Sequence, residues 1–370
     1  MASTPPDLHR LAAQATAAGL RAGLDAVGLA AATPFGDTRR DLVERKRLGL
    51  HGGMHFTYGN PERATDPSRT VPGARALVVG AVGYGGGDAG RQEGRATGEV
   101  ARYARRDHYG RLRAALDTVA QTLRRSGWQA VVCCDDNRLV DRAAAVRAGL
   151  GWFGRNSLVL LWGRGSWFVL GSVVTDAPLP VEATGAPIPA EGCGPCRRCV
   201  SACPTGALKD GVLDARRCLA WLLEAPGVFP AEHRSALGGR LYGCDDCQCA
   251  CPVNRRHGGA GSGDDGARVD LLEVLAASDA ELLDEFGRWY IPRRQARYLR
   301  RNALVALGNV ADGSDPQVAA ALAAALRDRD PLLRAHGVWA ARALGRDDLL
   351  DAVGADDDPT VRSELDAGRL

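Results

Sequence analysis

Cysteine dominates the chemistry this chain could do. Four thiols stand at Cys193-x2-Cys196-x2-Cys199-x3-Cys203-Pro204, and after a lone Cys218 a second run reads Cys244-x2-Cys247-x3-Cys251-Pro252. The first spacing is that of bacterial ferredoxins. In those, three thiolates on one tight loop hold three irons of a 4Fe-4S cube, and the fourth reaches across to a second cube. At four thiolates per cube, two cubes need about eight, and the region supplies that number with Cys249 to spare. The x3-Cys-Pro ending shared by both runs marks Cys203 and Cys251 as the crossing ligands. The expected sets are Cys193, Cys196, Cys199 and Cys251 for one cluster, and Cys203, Cys218, Cys244 and Cys247 for the other. The competing assignment puts Cys249 in the place of Cys218. Paired CxxC steps also make tetrahedral zinc sites, but a zinc site has no use for four cysteines in one run ending in Cys-Pro. Single-electron transfer is the chemistry these residues imply.

A second candidate is an acid. Asp135 follows an apolar run ending in Cys133 and Cys134, with Asp136 beside it. A carboxylate at a strand end tends to face a cleft, where a neighbouring carboxylate and partial burial raise its pKa toward a value useful for proton donation. The same Asp-Asp-Asn also reads as a plain turn. Cys133 and Cys134 lie within the apolar run and read as core residues, not nucleophiles. Gly149-Leu-Gly151-Trp-Phe-Gly154 satisfies GxGxxG, but it follows a helical pattern instead of a strand, so it is not a dinucleotide fingerprint. Gly83-Tyr-Gly-Gly-Gly87 reads as a loop.

The elements that must position these groups fall into parts. With 370 residues the chain is long enough for two or three domains. Residues 1–189 alternate helices and short apolar strands, an α/β pattern. Thr4 to Ala31 reads as a helix. Strands are expected at Ala76–Val82, Gln129–Cys134 and Trp167–Thr175, with helices at Tyr109–Ser126 and Leu139–Ala148. Prolines 178, 180, 187 and 189 break the pattern. Residues 190–257 form the cysteine module, and the glycine-rich stretch 258–267 is a linker by composition. Residues 268–370 carry helical periodicity at Ala296–Asn309, Pro316–Arg327 and Pro331–Leu344. Asp-Pro-x-x-Arg recurs at Asp330–Arg334 and Asp358–Arg362, the look of a short HEAT-like stack.

A net charge of +3 does not by itself announce nucleic acid. Its distribution says more, because Arg293, Arg294, Arg297, Arg300 and Arg301 crowd one stretch with Trp289, Tyr290 and Tyr298 interleaved. That run reads either as a solvated helix face or as a phosphate-binding surface with stacking neighbours. The first thirty residues lack the unbroken apolar core of a signal peptide, and no apolar run approaches the roughly 18 residues a bilayer crossing needs. A reducing cytoplasm, no membrane contact and a monomer are the expectations.

The chain resembles the epoxyqueuosine reductases, iron-sulfur and cobalamin enzymes that complete queuosine in the tRNA anticodon loop. In the N-terminal half the matching stretches are Gly53-Met54, Asn60-Pro61-Glu62-Arg63, Asp66-Pro67, Pro72-Gly73-Ala74-Arg75, and Ala101-Arg-Tyr-Ala-Arg105 with Asp107. Asp135 with Asp141-Arg142 follows, then Arg147-Ala-Gly-Leu-Gly-Trp-Phe-Gly-Arg-Asn-Ser157. Beyond these come both cysteine runs, Tyr242-Gly-Cys-Asp-Asp-Cys-Gln248, and Arg301-Asn-Ala-Leu-Val-Ala-Leu-Gly-Asn309. The resemblance implies an N-terminal domain holding base-off cobalamin, a two-cluster module feeding it electrons from an external donor, and a HEAT-like tail gripping tRNA. It also implies Asp135 as proton donor, and Tyr103, Asn156, Ser157, Asp245 and Asp246 as contacts to the corrin. The departures are Arg138 where the family usually has proline, Arg155 for lysine, Ala220 for serine or threonine, and Arg105-Arg106-Asp107-His108-Tyr109 for Gly-Arg-Asp-Tyr-His. The competing functions are a corrinoid and 4Fe-4S reductase of another substrate, as in reductive dehalogenases, and a non-catalytic iron-sulfur tRNA-binding protein.

Overall fold

The computed structural model describes residues 7–85, 96–181, 192–257 and 266–367. They form two compact units. One comprises residues 1–86, 107–216 and 246–259, and the other residues 87–106, 217–245 and 260–370. The expected boundary near residue 189, the end of the Gly83–Gly87 loop and most of the 258–267 linker lie outside the described residues.

The first unit is built on a four-stranded sheet in the order Ala26–Ala31, Ala76–Gly83, Phe168–Thr175, Ala130–Cys134. Every neighbouring pair is antiparallel. Ala76–Gly83, in the middle, is buried along nearly its whole length, as its run of valines and small residues implies. The helices Leu8–Arg21 and His108–Arg125 start at Asp7 and Asp107, whose carboxylates accept the first free backbone N–H groups. The expected helix through Ala31 ends ten residues early. Gly23 turns at φ 103, and Ala26–Ala31 joins the sheet. Pairing with Ala76–Ala81 overrides the helical propensity of the alanines there. Gly28 is required in this strand, because a Cβ would stand 2.5 Å from the Ala148 carbonyl oxygen.

Ala130–Cys134 is an edge strand, and arginines cover its carbonyls. Arg124 Nε donates to Ala130 O at 3.0 Å, Arg138 Nη2 to Val132 O at 2.8 Å and Arg113 Nη2 to Cys134 O at 3.0 Å. Alternate carbonyls of an edge strand lack a sheet partner, and three guanidiniums fill that role here. The strand delivers Asp135 from a fixed end.

The second unit pairs Arg240–Tyr242 parallel, and Arg268–Asp270 antiparallel, to Thr97–Val100. Its helices Arg297–Val310, Pro316–Leu326 and Pro331–Ala343 match the periodicity to within a residue or two, and Pro359–Ala367 follows. Asp315 and Asp330 cap their helices with proline at the first position, and Asp358 accepts from Thr360 N at 2.8 Å in the same way. The recurring Asp-Pro is therefore a helix start. A core of Leu299, Ala303, Leu307, Leu322 and Ala340 ties these helices to Leu241 and Leu271. Among the described residues no helix is long and apolar enough to cross a membrane.

Candidate active site and iron-sulfur region

Immediately after Cys134 the backbone turns through Asp135 at φ 50, in the left-handed region. The turn expected of Asp-Asp-Asn is present at this aspartate. The residue is open to solvent, yet protein surrounds it on most sides. That desolvation raises its pKa above the ordinary carboxylate value, Arg113 pulling it back and Asp136 adding to it. Asp136 behaves oppositely. Its carboxylate accepts from Arg138 N at 2.7 Å, Nε at 3.0 Å and Nη2 at 2.6 Å, and these bonds hold its pKa down against its partial burial. Beneath the turn, burial and then the charges of Asp135 and Asp136 push the Asp141 carboxyl well up. Burial and then Asp135 do the same to the Tyr109 phenol. Two neighbouring carboxyls thus have opposite tendencies, with Asp136 kept ionised and Asp135 favouring its proton. Cys133 and Cys134 are buried in the core, and burial pushes both thiols up to about 12.

The Asn156–Ser157 turn is tied to this region by Arg142 Nη1, which donates to Ser157 O at 3.1 Å. Ser157 takes φ 60. Asn156 is only 5% exposed and its carboxamide oxygen accepts from Leu158 N at 3.2 Å, so it shapes the turn. The glycines of the rejected GxGxxG pattern serve the same local geometry. Gly149 ends a helix at φ 72, and a Cβ on Gly151 would stand 2.0 Å from Leu160 O.

In the first unit the thiols of Cys193, Cys199 and Cys251 are electrostatic neighbours. Burial raises Cys199, and Cys193 and then Cys251 raise it further. Backbone N–H groups point at sulfur, from Arg155 to Cys193 Sγ at 3.4 Å and from Ala207 to Cys203 Sγ at 3.2 Å. Such bonds are how proteins support cluster thiolates. Arg155 also donates to Gly194 O at 2.8 Å and to Asp210 at 3.1 Å, which holds the first cysteine loop. The second loop is held by residues that spacing did not single out. Ser166 N donates to Asn254 Oδ1 at 2.7 Å, and Gln248 Nε2 donates to Ser166 O at 2.9 Å. Asn254 and Gln248 bracket Cys249 and Cys251. Gly165 is needed beside them, since a Cβ would stand 2.2 Å from Asn254 Oδ1. Asp246 opens the short helix Asp246–Cys249 that carries Cys247.

In the second unit Cys218 precedes the helix Leu219–Glu224. Tyr103 OH donates to Glu224 Oε1 at 2.9 Å, and Asp245 Oδ2, beside Cys244, accepts from Arg102 N at 2.7 Å. The arginine run needs correcting. Arg301 is 1% exposed and donates to the carbonyls of Leu222, Leu223, Ala225 and Gly227 at 2.7–3.1 Å, so it cannot meet a phosphate. Trp289 and Tyr298 are also buried and form no stacking platform. Arg297 pairs with Asp330 at 3.2 Å and Arg300 with Asp279 at 2.5 Å. Arg293 and Arg294 are exposed on left-handed backbone at φ 51 and 56, next to Tyr290, which is 57% exposed.

A cysteine-rich region with backbone amides directed at sulfur is the pattern of an iron-sulfur protein. Residues 192–254 match the model of the 4Fe-4S double cluster binding domain. The chain is 36% identical to an epoxyqueuosine reductase of Pseudomonas aeruginosa, covering 92% of this chain and 97% of the relative. It is 30% identical to one of Bacillus cereus, covering 90% and 88%. A crystal structure of epoxyqueuosine reductase with an epoxyqueuosine-modified tRNA stem loop superposes at a TM-score of 0.87, with 27% identity and 98% of each chain covered. The Bacillus subtilis enzyme, solved with its aspartate catalytic loop swung out of the active site, superposes at 0.84 with 26% identity, covering 98% of this chain and 99% of that one. The chain belongs to the epoxyqueuosine reductase family.

Proposed function

We propose that this chain reduces epoxyqueuosine to queuosine in the anticodon loop of tRNA, with Asp135 as proton donor. The observation that carries the reading is the pairing of an accessible, proton-favouring Asp135 with a double-cluster domain in one chain of this family. The reaction removes the epoxide oxygen. Both of its carbon–oxygen bonds break, a carbon–carbon double bond forms, and two electrons and two protons carry the oxygen away as water. Clusters pass electrons singly, and an acid is needed where the oxygen departs.

Cys193, Cys196, Cys199 and Cys251 would hold one 4Fe-4S cluster and Cys203, Cys218, Cys244 and Cys247 the other. The amides of Arg155 and Ala207 at sulfur fit that role. We assign residues 1–189 to a cobalamin-binding domain, 190–257 to the two-cluster module, 258–267 to a linker and 268–370 to a HEAT-like tail. Tyr103, Asn156, Ser157, Asp245 and Asp246 would meet the corrin. The half-buried Ser157 turn, at φ 60 and tied to the helix that follows Asp135, supports the placing of a polar corrin edge there. Cobalamin held there would supply a strongly reducing metal centre for the epoxide. Asp135 then supplies its proton to the departing oxygen while Asp136, held ionised by Arg138, stays out of the transfer. The partners are the modified tRNA and an external electron donor, and the protein works in the cytoplasm as a monomer.

The test is nucleoside mass spectrometry of epoxyqueuosine-containing tRNA after anaerobic incubation with cluster-reconstituted protein, cobalamin and a strong reductant. Queuosine is the expected product. If none forms while both clusters and cobalamin are bound, the reading is overturned and the substrate is another.

A further inference from the structure

The acid turn contains a device that the reaction itself does not require. One guanidinium grips the chain on both sides of Asp135. Arg138 Nη2 reaches Val132 O, three residues before the acid, at 2.8 Å, and Nε and Nη2 reach the Asp136 carboxylate, one residue after it, at 3.0 and 2.6 Å. The Arg138 amide closes the ring on Asp136 Oδ1 at 2.7 Å. Between these anchors Asp135 sits at φ 50. A non-glycine residue in the left-handed region is uncommon, aspartate tolerating it better than most, and it persists where its surroundings over-determine it. Here the surroundings are the Arg138 fork on one side and Arg113, bonded to Cys134 O, on the other.

We propose that Arg138 is the positioning residue of the acid: its fork latches the Asp135 turn in the left-handed conformation that sets the direction of its carboxyl. Released from the fork, Asp135 relaxes to negative φ and its carboxyl swings away. The pair is half-buried, with side-chain exposures of 30% and 24%, so water does not fully replace it. The inference rests on Asp135 being the proton donor.

The experiment uses full-length reconstituted enzyme carrying Arg138→Ala, Arg138→Lys, Asp136→Asn or the Arg138→Ala/Asp136→Asn pair. Amide hydrogen exchange over residues 134–140 is measured beside kcat and KM for modified tRNA. The latch predicts exchange about tenfold faster in Arg138→Ala. It also predicts kcat lower by about 10- to 100-fold with KM within about twofold, because the loss falls on the reacting geometry and not on tRNA binding. Arg138→Lys, which can reach Asp136 but not fork to Val132 O, should recover part of both. The double variant should be no worse than Arg138→Ala, the non-additivity of two residues that act as one. Unchanged exchange or additive losses overturn the latch, as does unchanged kcat where Asp135→Asn is inactive. Should Arg138→Ala fail to fold, Asp136→Asn, which leaves the Val132 bond in place, decides through the same two readouts. Failure of the proton-donor reading is separate: an active Asp135→Asn enzyme removes that reading, while the exchange measurement still decides whether Arg138 holds the turn.

Discussion

Asp135 and Asp136 are adjacent, chemically identical and opposite in tendency, and their partners alone cause the difference. Asp136 has a guanidinium and an amide on its oxygens. Asp135 has crowding, Arg113 as a charged counterweight and a like charge beside it. Asp135→Asn is expected to keep both clusters and cofactor, read by iron content and absorbance, and to lose at least about 100-fold in turnover, the usual contribution of a positioned acid. Full activity in that variant would remove Asp135 from the mechanism. The pH dependence has a definite sign. A donor must be protonated, so kcat falls as pH rises through the Asp135 pKa, and the raised value moves that fall upward from the ordinary carboxylate range. From the residues alone Asp135 was legible as turn or acid, and the structure shows the turn. Arg138 was visible only as a departure from family pattern. Its role depends on Ala130–Cys134 being an edge strand with carbonyls to fill, a property of sheet order that no local stretch of sequence states.

At the scale of elements, Arg301 shows how a helix carries information to a distant segment. Its guanidinium takes the carbonyls of Leu222, Leu223 and Ala225, the groups that the end of the Leu219–Glu224 helix leaves unpaired. Asn302 Nδ2 adds a bond to Leu223 O at 3.0 Å and another to Leu241 O at 3.2 Å. Cys218 stands at the other end of that helix, so the arginine fixes the orientation of an expected cluster ligand. Burial lowers its pKa to about 9, and at neutral pH it remains charged. Arg301→Ala is expected to cost about 3–5 kcal/mol, because it strands several buried carbonyls. A fall in Tm of several degrees and loss of iron on gel filtration would follow, whereas a variant as stable as the parent would show that water replaces the guanidinium. The helix itself was legible, its period and its Asp-Pro neighbours giving its bounds to a residue. The burial of Arg301 was not, since an arginine at helical spacing reads as solvated when its acceptors lie more than seventy residues away. The same blindness made Ala26–Ala31 a helix: six small and apolar residues carry no strand signal until Ala76–Ala81 is placed beside them.

At the scale of the molecule, a linear reading of the chain and its compact units differ in kind. The cysteine spacing named the double-cluster domain, but residues 217–245 group with residues 96–106 because Arg240–Tyr242 pairs with Thr97–Val100, a parallel pairing that spacing does not reveal. Charge behaves similarly. Five arginines in one stretch looked like one surface, and folding divides them. Arg301 is internal, Arg297 and Arg300 carry carboxylate partners, and Arg293 and Arg294 face solvent beside Tyr290. If the tail grips tRNA, the grip on this stretch belongs to the last two. Each phosphate neutralised by an arginine contributes about 0.7–0.9 to the slope of log affinity against log salt. Arg293→Ala with Arg294→Ala should therefore weaken binding of modified tRNA at low salt, and should flatten that slope by between about 1 and 2. Arg297→Ala should leave the slope nearly unchanged, because its charge is already balanced by Asp330. A titration of the three proteins against tRNA between low and moderate salt checks this. Equal slopes throughout would move the tRNA contact to another face of the protein, while an effect confined to Arg297→Ala would mean that its ion pair opens when the RNA arrives.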